Sequence, residues 1–88
     1  MESELTYLLR TMVLALLDDP NGITIDEAER DGRKVFSLLV PEQERGKVIG
    51  KNGRIAKSLR TILISAARRQ GLRCELDIVQ GEGKGSTL

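Results

Sequence analysis

Between Glu4 and Leu17 the apolar residues Leu5, Leu8, Leu9, Met12, Val13 and Leu16 recur at spacings of three and four, which predicts a helix with one apolar face. Ser3 is placed as its N-cap, and Asp18-Asp19-Pro20-Asn21-Gly22 stops it, because proline cannot continue a helix and Asn-Gly readily supplies turn residues. The period then shortens to two. Ile23 and Ile25 alternate with Thr24 and Asp26, Val35 to Val40 is a β-branched and apolar run, and Asp31-Gly32 between them is a hairpin turn signal. An antiparallel pair of strands is predicted. Pro41, with Glu42 and Glu44 behind it, opens a short helix that runs to Ile49 and must end at Gly50. A longer helix from Arg54 to Gln70 is predicted to bury Ile55, Leu59, Ile62, Leu63 and Ala66, with Gly71 as its C-terminal glycine. Cys74, Leu76 and Ile78 alternate with Glu75 and Asp77 and mark a last strand over Arg73 to Gln80.

The order α-β-β-α-α-β predicts an α+β domain, a three-stranded mixed sheet with three helices packed on one face. The crossover through two helices to the last strand implies a parallel pair with right-handed connection. At 88 residues there is room for one domain, assigned to residues 1–80, and the glycine-rich residues 81–88 are read as a flexible tail. Hydrophobic residues make up 40% and charged residues 31%, an ordinary soluble composition. The stretch Leu5 to Leu17 is interrupted by Arg10 and falls short of the roughly 20 residues a membrane span needs, so no membrane association is expected.

With no histidine and one cysteine, the chain has no imidazole base, no Cys/His zinc set and no intrachain disulfide. No catalytic residue, metal, cofactor or small-molecule substrate is therefore expected, and Cys74 reads as a reduced core thiol that fits the cytoplasm. The net charge of +1 hides a division. Residues 1–32 hold two basic and eight acidic residues, a net −6, while residues 33–88 hold twelve and five, a net +7. Arg45, Lys47, Lys51, Arg54, Lys57, Arg60, Arg68, Arg69 and Arg73 add to +9 with no acidic residue between them, which calls for an anionic partner.

Inside that segment lies Gly50-Lys51-Asn52-Gly53, a four-residue connection between two helices whose glycines tolerate positive φ and close approach. The N-H groups and dipole at the start of the following helix, with Lys51, Arg54 and Lys57 around them, form a site suited to phosphate. A P-loop is a poor match: three residues rather than four separate Gly46 from Gly50, and Asn52 stands where Ser or Thr would bind magnesium. Tyr7 and Phe36 are the only aromatics and both lie outside the basic segment, so the stacking surfaces of RRM and OB folds are missing.

Val48-Ile49-Gly50-Lys51-Asn52-Gly53-Arg54-Ile55 resembles the Ile-Gly-x-x-Gly signature of the KH domain, whose loop clamps about four single-stranded nucleotides. From the first helix to the last strand the chain resembles the KhpA family of small bacterial RNA-binding proteins, each little more than a type II KH domain. The resemblance implies backbone contacts from Gly50, Lys51, Asn52 and Gly53, with Arg54, Lys57 and Lys47 beside the phosphates. It implies an apolar groove floor from Val48, Ile49 and Ile55, and an opposing edge at Leu76. The two residues Gly71-Leu72 leave almost no variable loop, so weak base preference is expected.

On the long helix, advancing 100° per residue places Ile64 opposite the predicted core set. With Arg60 and Ala67 beside it, Ile64 is assigned to a self-association surface. The resemblance points the same way, to a homodimer and to pairing with a larger KH protein of the KhpB type. The leading expectation is a non-catalytic, cytoplasmic protein that clamps single-stranded RNA as a chaperone or post-transcriptional regulator. Two alternatives stand beside it, a protein-protein interaction module acting through dimerisation and a binder of single-stranded DNA.

Overall fold

The computed structural model describes residues 2–80, so the sequence reading of 81–88 as a tail lies outside it. Its elements are α1 (Glu4–Leu14), β1 (Thr24–Arg30), β2 (Arg33–Val40), α2 (Glu42–Ile49), α3 (Arg54–Arg69) and β3 (Cys74–Gln80), with a single 3-10 turn at Lys51–Gly53 between α2 and α3. The predicted order and fold class hold. Ser3 caps α1 by accepting from the Thr6 N–H at 3.1 Å. α1 ends three residues earlier than its apolar pattern suggests. The Leu16 N–H turns back to the Val13 carbonyl at 2.9 Å, closing the helix with a tighter i to i+3 bond before the Asp18-Asp19-Pro20 stop.

β1 and β2 form a hairpin around Asp31 (φ 54°) and Gly32 (φ 76°), the paired left-handed residues that a two-residue turn requires. β2 is the central strand, antiparallel to β1 and parallel to β3, so β1 and β3 are the sheet's two edges. Phe36, Leu38 and Val40 alternate on the face toward the helices, and with Leu5, Leu9, Val13, Val48, Leu59, Leu63 and Leu76 they form the core. Gly71 (φ 76°) ends α3, as its position in the sequence implies.

The hairpin is tied to α1 by a polar cluster. Ser3 and Thr6 hydroxyls donate to one oxygen of Glu27 at 2.5 and 2.7 Å, and Lys34 Nζ donates to the other at 2.9 Å. The Ser3 bond foremost, with those from Lys34 and Thr6, outweighs partial burial and pulls the Glu27 carboxyl down to about 2. Its contribution to stability is therefore complete above the ordinary carboxylate range and is lost as pH falls toward 2.

The rotation of α3 differs from the sequence expectation. Its buried residues are Ala56, Leu59, Leu63 and Ala67, whereas Ile62 is 47% exposed. The inward face is turned by about 60° from the one predicted, since a wheel weighted by large apolar residues passes over the alanines. Ala67 joins Leu59 and Leu63 in the core, Ala56 is also buried, and Ile64 falls on a half-buried flank.

Candidate nucleic-acid interface

The loop between α2 and α3 is built by three departures from ordinary backbone within four residues. Gly50 sits at φ 79°, ψ 171°, Asn52 at φ 58°, ψ 25°, and Gly53 at φ 73°, ψ 15°. Gly50 N–H donates to the Gly46 carbonyl at 2.9 Å and closes α2, and Gly53 N–H donates to the Gly50 carbonyl at 3.1 Å and closes the turn. α3 then begins with no side-chain cap and no acidic residue in its first turn, unlike α1 with Glu4 and α2 with Glu42 and Glu44. Its positive end faces outward with its first amides not capped by any side chain. Lys51, Asn52, Arg54 and Lys57 around it are all exposed. Among the described residues none of the three cations has a carboxylate partner. This geometry can seat a phosphate on backbone and mobile side-chain donors together.

The glycines of the loop differ. A Cβ on Gly50 would lie 2.6 Å from Ile55 Cγ1, because the Ile55 side chain folds back over the loop, while a Cβ on Gly53 would meet nothing within 4 Å. Ile49 and Ile55 are half-buried beside the loop, in position to line a groove. Val48 is fully buried in the core and Leu76 is 5% exposed, so neither lies on an open groove surface. Both follow from pattern: Val48 faces inward on α2, and Leu76 alternates inward with Cys74 and Ile78. Lys47 is also removed from the free cations, since Asp18 Oδ2 at 2.6 Å and Glu44 Oε1 at 3.1 Å hold its ammonium. Those two bonds, Asp18 first, raise its pKa. Asp18 is 29 residues away in sequence, in the connection that follows α1.

Beside the loop, the edge of β3 faces α3. The Arg73 carbonyl bonds the Lys34 N–H of β2 at 2.9 Å, so the alternation along the strand turns the Leu76 backbone to the free edge. Arg60 Nε donates to the Leu76 carbonyl there at 3.1 Å. Arg60 is therefore part of a wall between α3 and β3. Farther along the same side Ile64 lines an open groove of about 270 Å³ with Arg33, Arg68, Leu72, Arg73 and Cys74. Burial, then Glu75, pushes the Cys74 thiol up, which keeps it protonated. Neither Arg33 nor the Arg60 bond was foreseen from sequence. Arg33 precedes the basic segment, and only the hairpin and the parallel register beside Cys74 bring it to α3.

Among the described residues no helix is long and apolar enough to cross a membrane, and no group of His, Cys, Asp and Glu side chains is placed to hold a metal ion. Comparison with known proteins agrees with the topology. The chain is 40% identical over 72 residues to the RNA-binding protein KhpA of Oceanobacillus iheyensis, an overlap of 82% of this chain and 96% of that protein. It is 40% identical over 80 residues to the RNA-binding protein KhpA of Treponema pallidum, covering 90% of this chain and 95% of that one. Two crystal structures of Era, one of them the Aquifex aeolicus protein, superpose with a TM-score of 0.60 at 18% identity over 86% of this chain. The chain spans 29% of the Era chain, and the likeness is one of fold alone. The family model described as KhpA/KhpB, KH domain matches residues 6–78, and with 40% identity to near-full-length relatives the chain belongs to the KhpA/KhpB family of KH-domain proteins.

Proposed function

We propose that this protein is a non-catalytic, cytoplasmic RNA-binding protein that clamps about four nucleotides of single-stranded RNA on the Gly50–Gly53 loop, acting as an RNA chaperone or post-transcriptional regulator. One observation carries the reading: an uncapped, acid-free start of α3 displayed beside three cations, Lys51, Arg54 and Lys57, that have no carboxylate partner among the described residues. The names of the relatives support RNA as the ligand class. Stacking has no part in it, because Phe36 is fully buried and Tyr7 lies on α1. The short connection between α3 and β3, residues 70–73, leaves little to read bases with, and weak base preference follows. Titration of a labelled single-stranded RNA pool tests this. With three phosphate contacts, log K falls against log salt with a slope of about −2. A flat salt response overturns the phosphate clamp, and a matched DNA competitor that displaces the RNA equally makes the protein a general single-strand binder.

Self-association is a second reading, favoured by Ile62. It is the large apolar residue that α3 leaves 47% exposed, on a solvent face with Lys57, Ser58 and Thr61. Ile64, assigned to that role from sequence, instead lines the groove beside Arg68, and Ala67 is fully buried. A homodimer, or a pair with a larger KhpB-type protein, is accordingly built on the Ile62 face. Ile62→Lys is expected to shift sedimentation to the monomer mass with the circular dichroism spectrum unchanged. An unchanged mass removes this interface.

A further inference from the structure

We propose that the arginine-ringed groove at the far end of α3 is a second anion seat, which holds a phosphate of the same RNA strand beyond the nucleotides on the loop. This rests on the RNA reading of the loop and deepens it. Three elements supply the arginines: Arg33 from the start of β2, Arg68 from the last turn of α3, and Arg73 from the connection into β3. Among the described residues Arg68 and Arg73 have no carboxylate partner, whereas Arg33 is held by Glu75 at 2.5 Å. The α3 dipole accounts for cations in its last turn, Arg68 and Arg69, but not for Arg73 beyond the helix or Arg33 from another strand. Between them the floor is apolar, formed by Ile64 and Leu72 with the protonated Cys74.

Continuity with the loop selects the occupant. Arg60, Ile64 and Arg68 succeed one another at intervals of four along the side of α3 that faces the edge of β3, and Lys57 adjoins them one turn nearer the loop. From Arg54 to Arg68 this stripe is about 21 Å long at 1.5 Å per residue. A strand seated on the loop and running along it meets cations throughout, with an apolar floor for a base and guanidinium groups for phosphate at the end. A free phosphate ion makes no use of that floor. The apparent footprint on RNA is then longer than the four or so nucleotides the loop engages.

The test is a ladder of labelled RNAs of about four to ten nucleotides, titrated against the native protein and an Arg68→Gln/Arg73→Gln variant. Both side chains are exposed, so the variant is expected to keep the native circular dichroism spectrum. For the native protein, affinity is expected to rise about tenfold from the shortest RNA to the longest. The variant should match it on the shortest RNA and lose that gain, with a salt slope shallower by about 1.4 on the longest. Equal losses at every length, or no loss at any, overturn the second seat and leave the loop reading intact. Millimolar inorganic phosphate that reduces long-RNA binding to the short-RNA level in the native protein, with no effect on the variant, assigns the groove to a free anion and overturns the proposal. Absence of RNA binding by the native protein at every length overturns both readings.

Discussion

Gly50→Ala is expected to destabilise the domain by about 2–5 kcal/mol, enough to lower Tm by about 10 °C or more and to bring a domain of this size near its folding threshold. Two causes add. The backbone at φ 79°, ψ 171° belongs to a region that is essentially glycine-only, and an alanine Cβ would lie 2.6 Å from Ile55 Cγ1 and 2.9 Å from its Cβ and Cδ1. Ile55 cannot swing away cheaply, because it is half-buried against the core in the first turn of α3. Gly53→Ala provides the contrast. Its φ is also positive, at 73°, but the space around it is open, so the cost is about 1 kcal/mol. Thermal unfolding followed by circular dichroism separates the two, and equal costs would contradict the close-packing account. Removing the obstacle supplies a second check: in an Ile55→Ala background Gly50→Ala should cost less, with only the backbone strain left.

How much of this molecule the sequence discloses depends on the range of the interaction involved. The α1 stripe, the Asp31-Gly32 turn, the halt at Gly50 and the end at Gly71 are local, and each is legible because few residues decide it. The rotation of α3 was not, since Ile62 faces solvent while Ala67 is buried, and a hydrophobicity pattern does not weigh an alanine as a contact. Lys47 shows the same limit for the site. In sequence it is one more cation in a run of nine, and only the fold brings Asp18 to it from the connection after α1. The loop was legible as a motif because its chemistry is carried by consecutive residues. The groove around Ile64 was not, because β2, α3 and β3 each bring a part of it.

Lys51→Asp/Asn52→Asp is expected to reduce affinity for single-stranded RNA by about a hundredfold while leaving the fold in place. The loop geometry makes this a better test than substitution of either glycine. Both side chains are exposed and no core residue rests on them, and aspartate, like asparagine, tolerates the left-handed backbone that residue 52 adopts at φ 58°, ψ 25°. The net change is three charge units at the point where a phosphate would sit, converting attraction into repulsion over the start of α3 without closing its amides. A loss of binding with unchanged Tm therefore reports on electrostatics at the loop and not on its architecture. Salt sharpens the conclusion: any binding that remains should show a slope shallower than the native −2 or so, because Lys51 no longer releases a counterion. If the variant binds as tightly as the native protein with the same slope, the phosphates lie elsewhere on the basic face. The arginines of the α3–β3 groove, Arg68 and Arg73, would then be the next place to look, and dimerisation through Ile62 would become the leading account of the protein.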